Sequence, residues 1–213
     1  MNLLSDSCES DNAENRNNLM FIEIPRISRL VSSHPHLRVL ALVEKVGETS
    51  PQAVAEELTL HHSVAARHLL DLAACGLLTD RVKGSEHIYR LSKKTATLAA
   101  DTMAFLKPLL PKLDYTQGIP LDAEIIANAA TGFTYERRVR IYAFLQENAD
   151  QSASELASPL KIPIPSVVRH LVKLTARGYV RGKVDKSIRR YDVAQPKHEI
   201  HRAYTLLVCK YLA

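Results

Sequence analysis

Eight basic side chains crowd a 22-residue stretch in the second half of the chain: Arg169, Lys173, Arg177, Arg181, Lys183, Lys186, Arg189 and Arg190. The one acid between them is Asp185. Cations at this density suit the neutralisation of a polyanion, because each contact with a phosphate backbone releases condensed counterions. Ser166, just ahead of the stretch, adds a hydroxyl of the kind that hydrogen-bonds phosphate oxygens. A thinner set lies in the first half. His61, His62, Ser63 and Arg67 come close together, followed by Arg81, Lys83 and Ser85. The same side chains also fit a solvated face with no ligand.

Other chemistries find less support. No Gly-rich phosphate loop, nucleophile elbow or turn-borne carboxylate pair occurs, so no catalytic residue is assigned and the chain reads as a non-enzyme. Cys8, Cys75 and Cys209 are odd in number and lack a C-x-x-C spacing, which argues against both a disulfide framework and a thiolate cluster. His198 and His201 would put two imidazoles near one helix face. Two ligands do not make a metal site, and the rest would have to come from Cys209, Asp192 or another subunit. No metal or cofactor is expected. Cys75 reads as a small buried hydrophobe, with a redox sensor as the alternative.

The 213 residues are 46% apolar and 24% charged, which bounds the chain to one or two globular domains. No stretch approaches the roughly 18 apolar residues of a membrane helix, and the N-terminus is too polar for a signal peptide, so no membrane partner and a cytoplasmic location are expected. The net charge of +5 is uneven: residues 1–33, 34–114 and 115–213 carry −2, +1 and +6.

The elements that must position these residues emerge from an internal repeat. Sliding the chain by 102 residues aligns 38–91 with 140–193 without a gap, with 14 identities in 54 pairs, including Arg67/Arg169, His68/His170, Leu72/Leu174, Gly76/Gly178 and Tyr89/Tyr191. Composition alone would give about 3 to 4. Each copy begins with a helix, preceded by Ser32 or Ser33 in the first and by Thr134 in the second. In the first copy Gly47 ends that helix. A short helix follows from Ser50-Pro51, matched by 152–160, and then a third helix over 63–74, matched by 166–176 and closed by Gly76 or Gly178. Beyond each of these glycines the apolar period falls from about 3.6 to 2. Strands 77–82 and 86–91, and 179–184 and 188–193, flank polar turns as hairpins. The predicted fold is mainly α with small β-hairpins: tandem winged helix-turn-helix domains.

The run Leu60-His61-His62-Ser63-Val64-Ala65-Ala66-Arg67-His68-Leu69, continuing through Gly76-Leu77-Leu78 to Tyr89-Arg90-Leu91, resembles the ArsR-like family of winged-helix transcriptional regulators. The second copy, through Arg169-His170-Leu171, Gly178 and Tyr191, is similar to it more distantly. The resemblance implies a third helix that enters the major groove of double-stranded DNA and a wing along the backbone. It also implies dimerisation through the helices after the wings. Here those helices carry the stripes Leu98, Phe105, Leu106, Leu109, Leu110, Leu113 and Ile200, Tyr204, Leu207, Val208, Tyr211, Leu212. These could serve a homodimer, an intramolecular pseudo-dimer or simple core packing. The chain departs from the family where Ala66 and Val168 replace a DNA-facing Ser. His61-His62 and Pro163-Ile164 replace Ser-Gln at the helix start, and Ala55-Glu56-Glu57 stands where metal sensors carry cysteines. His68 and His170 read as packing at the helix joint or as phosphate contacts.

The expected layout is a disordered tail over 1–18, a first domain over 19–113, a linker over 114–120 and a second domain over 121–213, with a connecting helix at 121–130 docked on the second copy. The expected function is a DNA-binding transcriptional regulator, in the sense of a repressor. The alternatives are a winged-helix protein-interaction scaffold in a chromosome-associated or other complex, and a metal- or redox-responsive repressor.

Overall fold

The computed structural model describes residues 5–212, with side chains from residue 18 onward. The chain is mainly helical, with two small three-stranded antiparallel sheets. It divides into two compact units, one formed by residues 27–131 and the other by residues 1–26 with 132–213.

In the unit of residues 27–131, the first copy consists of α2 (His34–Val46), β1 (Glu48–Thr49), α3 (Pro51–Leu58), α4 (His62–Ala74), β2 (Leu78–Lys83), β3 (Glu86–Leu91) and α5 (Leu98–Leu106). Leu37, Leu40, Val54, Leu69, Leu72 and Leu77 fill its core. The helix α1 (Ser5–Val31) contributes its last residues, including the buried Ile27 and Val31. The helix α6 (Leu121–Thr131) packs against α2, and His34 lies 3.9 Å from Glu124. The expected docking of this helix on the second copy is thereby corrected. Its buried face of Ala123, Ile126, Ala127, Ala129 and Ala130 is built mostly of alanines, which permits close approach to another helix.

The second copy consists of α7 (Glu136–Glu147), β4 (Gln151–Ser152), α8 (Ala153–Leu160), α9 (Ile164–Ala176), β5 (Val180–Asp185), β6 (Ile188–Val193) and α10 (Glu199–Lys210). Residues 5–26 of α1 belong to this unit, where the Arg140 guanidinium lies 4.5 Å over the Phe21 ring. The expectation of a disordered tail over 1–18 falls outside the described residues for 1–4. From Ser5 onward the chain is helical instead. Once the apolar turns that include Ile24, Ile27 and Val31 fix a helix, each further residue adds a hydrogen bond at little cost, so polar residues upstream can join it.

The 102-residue offset holds in the backbone. Helices α3 and α8, α4 and α9, and both strands of each hairpin coincide residue for residue under it. Leu78 pairs with Leu91 as Val180 pairs with Val193. Thr59 and Lys161, at φ 54 and 53, end the short helices in the same left-handed turn. The first strand of each hairpin starts one residue later than predicted, because the amides of Leu77 and Tyr179 donate back to Leu72 and Leu174 and close the preceding helix, while the second strands keep their predicted bounds. Helix α9 starts two residues earlier than predicted. Its Pro165 falls in the first turn, where a missing N–H costs nothing. The third strand of each sheet, β1 or β4, is two residues long and carries no periodicity to be read.

The cores differ in kind. In the second copy Phe133, Tyr142, Tyr179 and Tyr204 form a buried aromatic cluster, with Phe133 4.6 Å from Tyr179 and 5.2 Å from Tyr142 between ring centroids. The matching positions in the first copy are the buried Val31, Leu40, Leu77 and Thr102. Ser152 opens α8 with a full capping box: its hydroxyl accepts from the Glu155 amide and the Glu155 carboxylate accepts from the Ser152 amide. Ser50 makes only the first of these two bonds, to Ala53. Ser152→Ala is expected to lower stability by about 1 kcal/mol, read by urea denaturation, and Ser50→Ala by less.

Candidate nucleic-acid interface

In the first copy, α4 and the β2–β3 hairpin carry the residues of interest. His61 caps α4: its Nδ1 accepts from the Ser63 amide at 3.4 Å and lies 2.8 Å from the Ser63 hydroxyl. His62 and Arg67 are exposed on the same helix. Lys83 and Ser85 are exposed at the hairpin tip, on either side of Gly84, which takes a left-handed φ of 64°. Arg81 is less free than the sequence implies. It pairs with Glu48 at 2.7 Å and holds that carboxyl below the ordinary range, because β1 lies beside β3.

The second copy presents a denser array on α9 and the β5–β6 hairpin. Arg169 and Lys173 are exposed on α9, as are Lys186 and Arg189 on the hairpin. Among the described residues these four form no ion pair with a carboxylate. Lys186 and Ser187 make the turn with φ of 45° and 71°, and Arg189 leans over the Tyr191 ring at 5.8 Å. Arg181 is exposed and only loosely associated with Asp192, at 3.9 Å. Ser166 is half-buried and accepts a hydrogen bond from Arg137 at 3.3 Å.

Two members of the predicted cluster are engaged internally. Arg190 donates to the Asp150 carbonyl at 2.7 and 3.0 Å and to the Asp150 carboxylate at 2.9 Å, and it lies 3.2 Å from the Glu155 carboxylate. Lys183 pairs with Asp150 at 2.9 Å. Counting acids only between 169 and 190 missed these partners. Pairing of β4 with β6 sets Gln151 opposite Tyr191 and so brings Asp150 beside the hairpin from 40 residues away. The two engaged cations anchor the hairpin base, leaving Arg169, Lys173, Arg181, Lys186 and Arg189 as its outward charge.

Arg137 and Arg138 lie outside the cluster expected from the sequence. Their signal was the run Glu136-Arg137-Arg138-Val139-Arg140, since a helix start favours acids and disfavours cations.

The conserved-offset histidines differ in surroundings. His68 Nδ1 lies 3.3 Å from His36 Nε2 with the rings edge-on, and His36 lies 3.7 Å from Asp71 and 2.7 Å from the Ser33 hydroxyl. His68 therefore packs at the joint of α2 and α4. Burial holds both imidazoles below their ordinary 6.5, with His68 adding to the effect on His36 and Arg67 to that on His68. Their unfolded forms bind protons at a pH where the folded forms do not. Stability is thus complete above about pH 6.5 and falls as pH drops below it. A melting-temperature series from pH 7.5 to 5 is expected to decline below 6.5, and to decline less in His68→Gln.

The residues after the hairpins are largely consumed by their own unit. Leu98, Leu106, Leu110 and Leu113, and Ile200, Tyr204 and Val208, are buried within the chain, in keeping with the core-packing alternative for both stripes. His198 caps α10 while His201 stacks on Tyr179 at 5.7 Å, so the two imidazoles do different work. The Cys209 sulfur accepts from Gln146 at 3.0 Å. Among the described residues no group of three or more His, Cys, Asp or Glu is gathered in a metal-binding arrangement, and no helix is long and apolar enough to cross a membrane. No family model, curated protein or solved structure matches the chain.

Proposed function

We propose that each copy is a winged helix-turn-helix and that the protein is a non-enzymatic, cytoplasmic DNA-binding regulator of transcription, acting as a repressor. In this reading α4 and α9 enter the major groove and the two hairpins lie along the backbone. The observation that carries it is the set of five outward cations on α9 and the β5–β6 hairpin, fixed by an internally paired base. Arg190 and Lys183 serve the hairpin base, whereas Arg169, Lys173 and Lys186 face solvent with no carboxylate partner among the described residues. The second copy then supplies chiefly phosphate affinity. The first, with His62 and Arg67 on α4, supplies more of the base reading.

A second reading has its own support. Val64 and Leu70 on α4, and Val168 and Val172 on α9, are exposed apolar side chains on the elements that would face DNA. A protein-interaction scaffold would use them as its contact surface.

The experiment that separates the two is fluorescence anisotropy on a duplex from upstream of the protein's own gene and on a scrambled duplex, each at 50 and 150 mM salt. Preference for the upstream duplex that survives the higher salt is the expected result for an autoregulatory repressor. Equal, salt-sensitive binding to both would mean affinity without sequence reading. Absence of binding at the lower salt would replace the DNA reading with the scaffold.

A further inference from the structure

The offset that relates the copies sets His36 opposite Arg138, His68 opposite His170, Asp71 opposite Lys173 and Cys75 opposite Arg177. In the first copy the joint of the first and third helices is electrically mixed, with the Asp71 carboxylate 3.7 Å from His36. In the second copy the matching positions hold Arg138, His170, Lys173 and Arg177 and no carboxylate.

Arg138 is only 3% exposed. One of its terminal nitrogens donates to the Thr134 hydroxyl, and its guanidinium lies 4.7 Å over the Tyr135 ring, which in turn sits 6.4 Å from the His170 ring. Its Nε is buried with no hydrogen-bond partner, and so is the Nε of Arg177. Among the described residues no carboxylate forms an ion pair with Arg137, Arg138, His170 or Arg177. The cations feel one another: burial and then Arg177 hold Arg138 below its ordinary value, and burial followed by Arg138, Arg137 and Arg169 does the same to His170. Removing a guanidinium from water without an anion is costly, and placing a second beside it adds to the cost.

The backbone points the same way. Helix α7 starts at Glu136 with no side-chain cap, so the positive end of its dipole lies beside Arg138. Acids stabilise such an end, yet its one acid, Glu136, is drawn away to Arg140 at 2.7 Å. Two buried guanidinium donors without partners, a nearby imidazole and a helix start together match the demands of a tetrahedral oxyanion.

We propose that the joint of α7 and α9 in the second copy is a phosphate-binding site, in which Arg138 and Arg177 hold the oxyanion and His170 borders it. The phosphate is that of a small phosphorylated ligand or one of a DNA backbone, both of which offer the same oxygens. The first source does not depend on the DNA reading.

The test uses the full chain and inorganic phosphate, with chloride at matched ionic strength as the reference. Phosphate is expected to raise the melting temperature by about 2–4 °C. It is also expected to move the NMR titration midpoint of the His170 imidazole upward, because a bound anion offsets the arginines. Both effects disappear in Arg177→Gln, a half-exposed position chosen because Arg138→Gln removes a buried side chain and risks the fold. If a DNA phosphate fills the site, inorganic phosphate displaces a duplex beyond its ionic-strength effect, and Arg177→Gln makes the slope of log affinity against log salt shallower by about 0.9. If a small ligand fills it, duplex affinity does not respond to phosphate while the melting and His170 responses remain. A melting temperature and a His170 midpoint indifferent to both phosphate and duplex overturn the proposal. Intact phosphate responses in a protein that binds no duplex overturn the DNA reading alone.

Discussion

Under the proposed DNA reading, replacing Arg169, Arg181 and Arg189 together with alanine is expected to abolish duplex binding at physiological salt while leaving the fold intact. All three are exposed, none caps a helix, and their loss removes no side chain from the core. Each cation that neutralises a phosphate contributes about −0.9 to the slope of log affinity against log salt, so the variant's residual slope at low salt is shallower by about 2.7. Circular dichroism and anisotropy on one preparation check the two halves of the statement. Unchanged affinity in a folded triple variant would remove α9 and its hairpin from any DNA-facing surface. Arg190→Ala makes the instructive contrast. It strips Asp150 and Glu155 of their shared partner, so its first effect is expected on the melting temperature.

Phe133→Ala lowers stability by about 3–5 kcal/mol, the range for deleting a fully buried aromatic side chain. Phe133 is completely buried and touches three tyrosines, at centroid distances of 4.6, 5.2 and 6.3 Å to Tyr179, Tyr142 and Tyr204. The cluster resists collapse into the resulting hole, because Tyr179 already abuts Gly132 so closely that a Cβ there would lie 2.2 Å from its ring. Val31→Ala, at the matching site of the first copy, deletes two methyl groups and costs less. Urea denaturation followed by circular dichroism measures both, and near-equal losses would contradict the assignment of Phe133 as the centre of its core.

The repeat was legible because the residues that close each helix and open each hairpin recur at one offset. Gly76 and Gly178 take φ of 75° and 74°, and Leu72 and Leu174 accept equivalent bonds from Leu77 and Tyr179. Periodicity alone could locate the third helices to within two residues. It could not locate β1 and β4, since two residues have no period. The partners of Arg190 were equally hidden, because an ion pair between residues 150 and 190 follows from strand pairing and leaves no local trace. The same holds for the helices that precede the copies. Their composition shows an apolar face, with Ile24 and Ile126 at the shared offset, but not which helix that face will cover. The arginine run at 136–140 was visible in the sequence. Its meaning was not, since the burial of Arg138, with no carboxylate paired to it among the described residues, appears only once α7 and α9 are packed.

The grouping of residues 1–26 with 132–213 has a consequence for how the chain is made. Residues 27–131 are contiguous, so that unit has its whole sequence as soon as residue 131 clears the ribosome. The first 26 residues emerge before any of it, yet their own unit lacks its other 82 residues. At 5–20 residues per second these take on the order of ten seconds to synthesise. The part of α1 before Ile27 is therefore the last to be seated, through contacts more than a hundred residues apart in sequence, the kind that close slowly. During that interval the apolar side chains of Phe21 and Ile24 have no native surface to cover, and a nascent chain in this state is the form a chaperone would meet.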